Sequence, residues 1–73
     1  MSEADLMFKQ LGYDLEKDDW EVCVYRDSGN EDLYIRFDKR YRVIMGSPTY
    51  DYFCDMPLLV AMNTKVKEMG WLQ

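Results

Sequence analysis

Histidine is absent from the 73 residues of this chain. Histidine is the commonest general base near neutral pH and the commonest metal ligand, so its absence excludes serine–histidine and cysteine–histidine nucleophiles. Cysteine is scarce as well, and Cys23 and Cys54 alone cannot build a usual structural zinc site within one chain. We therefore expect no catalytic residue and no bound metal.

A glycine-rich phosphate-binding loop is also missing, because the four glycines stand apart along the chain. Carboxylates are plentiful, and Asp18, Asp19 and Glu21 form the densest cluster, but they flank a predicted strand start where water can hydrate them. A chain of this length also leaves little room for a deep substrate cleft. These absences predict a protein that is not an enzyme and that uses no cofactor.

No apolar run reaches the length of a membrane span. A secretory signal is not expected, because Glu3 and Asp5 stand where a cationic region would be needed. Two cysteines in unrelated contexts predict buried free thiols rather than a disulfide framework, which favours a reducing compartment. We expect a cytoplasmic protein with no membrane partner.

The composition supports a single small domain over residues 1–73. Hydrophobic residues make up 48% of the chain and aromatic residues 15%, which is enough for a core despite 32% charged residues. A chain of this size buries roughly 60% of the surface that its unfolded form exposes, so its stability should be modest.

Two helices are predicted from apolar residues at helical spacing, over residues 3–11 and 56–69. Each run stops at a glycine that is followed by an aromatic residue, a typical helix end. Ser2 and Asp55 precede the two runs and are good N-cap residues.

The middle of the chain changes to a period of two. Strand-like runs at residues 20–25, 33–37 and 41–45 are separated by turn clusters, and residues 14–19 form a polar connector. The predicted apolar face holds Trp20, Val22, Val24, Leu33, Ile35, Phe37, Val43 and Met45. We predict an α+β fold with the order α-β-β-β-α, in which two helices pack on one face of a three-stranded antiparallel meander. Its open edges and uncovered face also make a homodimer physically reasonable.

The uncovered face is the first candidate binding site. Tyr25, Tyr34, Arg36 and Arg42 are predicted to lie on it, with Arg40 at its edge. Tyrosine and arginine often anchor protein interfaces, and aromatic residues beside arginines on a sheet can also bind single-stranded nucleic acid. An ordinary solvated face, with arginines paired across strands, is the alternative interpretation.

An aromatic loop is the second candidate. Tyr50, Tyr52 and Phe53 lie within four residues of one another, so burying all three is difficult. The alternative is that Phe53 and one tyrosine pack beneath the second helix. Tyr50 and Tyr52 are therefore included among the candidate binding residues.

The net charge of −5 is unevenly distributed. Residues 1–32 contain ten acidic and three basic residues, whereas residues 33–49 contain one acidic and four basic residues. The acidic start disfavours general nucleic-acid binding, because phosphates are repelled. It is compatible with an inhibitor that mimics nucleic acid and binds a basic host protein.

Three stretches of the chain resemble a group of small proteins encoded by phages and prophages of Firmicutes: residues 4–13, 35–39 and 59–71. The aromatic loop at residues 50–53 departs from the usual pattern of that group. The resemblance implies a small accessory protein of a mobile element, acting in a bacterial cytoplasm by binding host or phage machinery. It supplies no site residues.

The leading hypothesis is a non-enzymatic protein-binding accessory module of a phage or prophage. The acidic inhibitor that mimics nucleic acid is the alternative from a different class. A weak single-stranded nucleic-acid binder that uses Arg36, Lys39, Arg40 and Arg42 is the third hypothesis, although nucleic acid is not the expected partner.

Overall fold

The computed structural model describes residues 1–47 and 54–72. Within them the elements are α1 (Glu3–Gln10), β1 (Tyr13–Asp18), β2 (Val22–Asp27), β3 (Tyr34–Asp38), β4 (Val43–Gly46) and α2 (Met56–Glu68). The strands form one antiparallel sheet in the order β1-β2-β3-β4. The α+β class is confirmed, but this described part of the sheet has four strands where the sequence predicted three.

Both predicted helices are present, and the expected residues define their ends. The Ser2 hydroxyl accepts the Asp5 N–H at 3.1 Å, while the Asp5 carboxylate accepts the Ser2 N–H at 3.3 Å. Asp55 caps α2 by accepting a backbone N–H from the first turn at 3.0 Å. Gly12 and Gly70 follow the helices at φ 93° and 76°, a region that glycine enters without a Cβ clash.

The additional strand is β1, which replaces the predicted polar connector. It pairs with β2 from Tyr13 to Asp18, with a bulge after Leu15. Only Tyr13 is buried, because β1 lies at the edge of the sheet and its other side chains face water. An edge strand of this kind shows no apolar alternation, which is why the sequence pattern misses it.

The helix-facing side of β2 is the reverse of the predicted one. Cys23 and Tyr25 are fully buried in the core, whereas Val24 lies on the opposite face. Tyr25 is directly opposite Ile35 of β3, and directly opposed residues share a face. Alternation could not distinguish the faces of β2, because both sets of side chains are largely apolar. Trp20, predicted in the core, precedes β2 and is exposed.

The faces of β4 are reversed in the same way. Ile44 packs against the core, and Val43 and Met45 are exposed on the opposite face. β3 has the predicted orientation, with Ile35 and Phe37 fully buried. The face of the sheet away from the helices, called the open face below, is therefore lined partly by residues that the pattern had predicted in the core.

Aromatic rings form the centre of the core between the helices and the sheet. The Phe8 ring of α1 stacks on Tyr25 at a centroid distance of 3.9 Å and meets Tyr13 and Phe37 edge-on at 6.2 and 6.1 Å. The buried residues of α2 on this side include Leu58, Ala61, Met62 and Val66. The Trp71 ring lies at one end of the core, with its centroid 6.3 Å from that of the Phe37 ring. Both helices thus cover the same face of the sheet, as predicted.

Candidate protein-binding site

An apolar groove of about 370 Å³ lies between β4 and α2. Met62 and Val66 of α2 are buried and form its floor together with Ile44 of β4. Leu59 and Leu72 stand at its rim and are 46% and 60% exposed. The lining is completed by Arg42, Asn63 and Trp71. A concave surface with exposed leucines can receive the apolar side chains of a ligand.

The groove exists because α2 is apolar on more than one side. Leu58 and Ala61 face the core, while Leu59 and Val60 are exposed. A surface helix with a single core-facing stripe would carry polar residues on its remaining faces. The wide apolar surface of α2 is a sequence signal that some apolar side chains of this helix stay exposed, although it does not show which of them line a groove.

β4 forms an open edge of the sheet, because within residues 1–47 and 54–72 it pairs only with β3. The Ser47 N–H donates to the Tyr34 carbonyl of β3 at 3.1 Å. Peptide groups alternate in direction along an antiparallel strand, so the N–H groups of Ile44 and Gly46 point away from β3. This edge can therefore form hydrogen bonds with a further strand.

The two edge strands of the sheet differ in how well their side chains prevent pairing with a strand of another chain. β1 carries the charged side chains of Asp14, Glu16, Lys17 and Asp18, whereas β4 has the uncharged sequence Val-Ile-Met-Gly. Charged side chains on an edge strand discourage pairing with another chain. Of the two edges, β4 is the one that is chemically suited to a partner.

Arg42 lies at the groove, immediately before β4, and not on the open face where the sequence analysis placed it. Its φ is 55°, in the left-handed region that costs an ordinary L-residue about 1–2 kcal/mol. Among the described residues it forms no ion pair. Within residues 1–47 and 54–72, Arg42 therefore brings a positive charge without a counter-charge to a groove whose other lining residues are uncharged.

The tyrosines predicted as binding residues have different outcomes. Tyr25 is fully buried: its ring stacks on Phe8 and its hydroxyl donates to the Asp5 carboxylate. The prediction that Tyr25 lies on the surface is wrong, because this hydrogen bond allows the phenol to be buried without an unsatisfied group. Tyr50 and Tyr52 lie outside the described residues, so their role stays a prediction.

Tyr34 and Arg36 lie on the open face, where the sequence analysis placed them. The Arg26 guanidinium stands 5.2 Å from the centre of the Tyr34 ring. Arg36 lies between Val24 and Met45 in the strand register, and its Nε is buried without a hydrogen-bond partner among the described residues. Tyr34 and Arg36 belong to β3 and lie on the open face, whereas the groove lies on the face of the sheet that the helices cover.

The four basic residues between positions 36 and 42 do not form one surface. Arg40 makes a surface salt bridge at 3.3 Å, and the Lys39 ammonium donates to Asp18 at 2.7 Å. Arg36 lies on the open face and Arg42 lies at the groove. The structure thus separates the cations that a nucleic-acid-binding surface would need to bring together.

Most acidic residues in the first part of the chain form ion pairs with lysine or arginine side chains. Six of the ten carboxylates in residues 1–32 lie within 3.8 Å of a lysine or arginine nitrogen. They are Asp5, Asp14, Glu16, Asp18, Asp19 and Glu21. A dense display of free negative charge is therefore not formed by this segment.

A buried charge network attaches α2, and with it one wall of the groove, to the rest of the molecule. The Lys65 side chain is 7% exposed, and its ammonium lies 3.7 Å from both Asp5 of α1 and Asp18 of β1. The Glu68 carboxylate of α2 accepts the Ala4 N–H of α1 at 2.9 Å. The position of α2 therefore depends on charged contacts with α1 and the sheet as well as on apolar packing.

The same contacts shift several pKa values. Burial by itself raises the pKa of Asp5, but hydrogen bonds from Tyr25 and Ser2 and the Lys65 charge together lower it below the ordinary 3.8. Burial, followed by the hydrogen bond to Asp5, raises the pKa of Tyr25, so the phenol stays protonated. Burial also raises the pKa of the Cys23 thiol. Both cysteines are free.

The lowered pKa of Asp5 predicts a loss of stability in acid. Because this pKa is lower in the folded than in the unfolded state, the contribution of Asp5 is complete above about pH 4 and is lost as the pH falls through the folded value. Urea unfolding of the wild type and Asp5→Asn between about pH 6 and pH 2 measures it. The wild type should be the more stable near pH 6, and the difference should shrink in acid. A difference that stays constant would contradict the prediction.

Within the described part of the chain, neither helix has the length and apolar character needed to cross a membrane. The cysteine and acidic side chains of the same residues form no group of three that could hold a metal ion.

No family model, no curated protein and no solved structure matches this chain.

Proposed function

We propose that this protein is a non-enzymatic module that binds another protein through the groove and the adjoining edge of β4, together called the β4–α2 site. The observation that supports it is that three features of the described residues occur at one place: exposed leucines, an uncharged strand edge that pairs only with β3, and an arginine with no ion pair among these residues. Single exposed apolar residues are ordinary on a protein surface. An apolar concavity beside an open strand edge is typical of a peptide-binding surface.

The rim leucines, Leu59 and Leu72, are the exposed apolar side chains of the groove. Full burial of a leucine is worth about 1.5–3 kcal/mol, and about half of the surface of Leu59 and Leu72 is still available. Each leucine can therefore contribute about 1 kcal/mol to binding, which corresponds to an affinity change of roughly fivefold.

The two nucleic-acid hypotheses receive less support from the geometry. An inhibitor that mimics nucleic acid needs many free carboxylates, but most of those in residues 1–32 are paired with cations. A protein that binds single-stranded nucleic acid needs its cations on one surface. Arg36 lies on the open face of the sheet, whereas Arg42 lies at the groove on the helix side. Protein binding requires neither arrangement.

The resemblance to phage and prophage proteins supplies the setting of the proposal. In this setting the module is an accessory protein in a bacterial cytoplasm, and its partner is a host or phage protein. The partner and the setting are proposed together, since both depend on the same resemblance.

Substitution at the groove rim tests the proposal. We expect Leu59→Gln and Leu72→Gln each to weaken partner binding by about fivefold, because each removes apolar area that the partner would bury. Val60→Gln is the matched control, since Val60 is 52% exposed on the same helix but does not line the groove. Affinity capture from a lysate of the source organism, with quantitative mass spectrometry, measures the change.

A second control separates the groove from the open face. The double variant Tyr34→Ala/Arg36→Ala should leave capture unchanged, because both residues lie on the other side of the sheet. If this variant alone loses the partner, the binding surface is the open face. Equal capture by the wild type and both leucine variants would likewise exclude the groove.

A further inference from the structure

We propose that the β4–α2 site takes an extended segment of its partner, apolar with an acidic residue at one end, as a fifth strand of the sheet. In this arrangement Arg42 pairs with the carboxylate of the segment. The inference rests on the proposed function and adds to it the conformation and the charge of the ligand.

The backbone of β4 is arranged for strand addition. The outward N–H groups of Ile44 and Gly46 are two residues apart, the spacing at which a neighbouring strand forms its hydrogen bonds. β4 is four residues long, so a segment of about four to six residues spans the edge. A helical ligand could fill the groove but would leave these peptide groups unpaired.

Side chains on both faces of β4 favour an apolar segment. A strand beside β4 directs alternate side chains to opposite faces. On the helix side they would enter the groove next to Ile44, above Met62 and Val66. On the open face they would meet Val43 and Met45, both of which are exposed. The segment is therefore expected to be apolar at consecutive positions, not only at alternate ones.

Charge decides between a foreign segment and a second copy of this chain. Arg42 is the only charged residue among those that line the groove in the described part of the chain. The β4 strand of a second copy would bring the uncharged sequence Val-Ile-Met-Gly and another Arg42, but no carboxylate. Two copies, each with a net charge of −5, would also repel each other. A foreign segment that ends in an aspartate or glutamate supplies the missing charge.

The backbone of Arg42 supports a role in binding. At φ 55° an asparagine or glycine would be accommodated with less strain than an arginine. The described residues offer the Arg42 side chain no ion pair that would offset this strain. A contact with a carboxylate from outside the chain explains why a long cation is useful at this position.

Amide hydrogen exchange in the free protein tests the edge. The amides of Ile44 and Gly46 should exchange at least about tenfold faster than those of Val43 and Met45, which point toward β3. Two-dimensional NMR resolves the individual amides. Equal protection of all four amides would show that the edge is already covered, and would overturn the inference.

Peptide selection tests whether the ligand carries an acidic residue that pairs with Arg42. A phage-displayed library of random peptides of about twelve residues is selected against the wild type, and we expect apolar runs with an acidic end. The chosen peptide should bind Arg42→Asn at least about tenfold more weakly, since asparagine keeps the left-handed backbone but lacks the charge. Arg42→Lys should retain most of the affinity. Selected peptides with basic ends would overturn the inference.

Backbone N-methylation tests strand addition with the same peptide. A 73-residue chain can be assembled chemically with N-methylglycine in place of Gly46, which removes one outward N–H, and we expect at least a tenfold loss of affinity. N-methylation of Leu15, whose N–H points outward at the opposite edge, is the matched control and should have no effect.

The outcomes separate the inference from the proposed function. Peptides that respond to Leu59→Gln but not to N-methylation at position 46 would overturn the fifth strand and leave the groove as a protein-binding site. Failure to select any peptide that binds at the groove would overturn both. Self-association of the wild type with protection of the Gly46 amide would assign the edge to a second copy and overturn the inference.

Discussion

Phe8→Ala is expected to unfold a large fraction of the protein under conditions in which the wild type is folded. Phe8 is fully buried, and its ring contacts Tyr25, Tyr13 and Phe37. Truncation of a buried phenylalanine costs about 3–5 kcal/mol, through lost burial and the cavity left behind. A domain of 73 residues has a total stability of roughly 4–11 kcal/mol, so this one substitution removes much of it.

Chemical denaturation followed by circular dichroism measures the effect. Leu6→Ala on the same helix is the matched control, because Leu6 is 51% exposed and its truncation should cost less than about 1 kcal/mol. Phe8→Leu should fall between the two, since leucine fills part of the volume but cannot stack on Tyr25. Equal stability of Phe8→Ala and Leu6→Ala would contradict the assignment of Phe8 to the centre of the core.

The helix ends were predictable from the sequence, whereas the faces of two strands were not. A helix end depends on local chemistry, such as the Ser2 cap and the left-handed Gly12, and a few neighbouring residues specify it. The face of a strand depends on its partners. In β2 both candidate faces are apolar, and Tyr25 is turned inward by a hydrogen bond to Asp5, which is distant in sequence.

The candidate site was only partly predictable for the same reason. The meander order already places β4 at an edge of the sheet, and Arg42 was among the expected binding residues. The groove itself needs Ile44 on the helix side of β4 and Leu59 turned away from the core. Both orientations are consequences of tertiary packing, so alternation within a single element could not reveal them.

Lys65→Met is expected to lower the free energy of unfolding by about 3 kcal/mol at neutral pH, because it leaves a nearly buried carboxylate without its cation. Among the described residues, Lys65 is the only cation that pairs with Asp5, whereas Asp18 also has Lys39 at 2.7 Å. The loss therefore falls mainly on Asp5. Methionine is chosen because it retains most of the buried side-chain volume.

A second substitution separates charge from packing. Asp5→Asn in the Lys65→Met background keeps an acceptor for the Tyr25 hydroxyl but removes the uncompensated charge, so the double variant should regain at least about 1 kcal/mol relative to Lys65→Met. Lys67→Met is the control, since Lys67 is exposed on the same helix and should change stability by less than about 0.5 kcal/mol.

The pH dependence gives Lys65→Met a signature that a packing defect would not share. In the wild type the stabilisation from the Asp5 charge is complete above the unfolded pKa and is lost as the pH falls through the lower folded pKa, so the deficit of the variant should shrink as acid protonates Asp5. A cavity would produce the same deficit at every pH. A deficit that does not change with pH, together with no rescue by Asp5→Asn, would show that α2 is positioned by apolar contacts alone. Because α2 forms one wall of the β4–α2 site, loss of this charge network should also weaken partner binding without any change to a groove-lining residue.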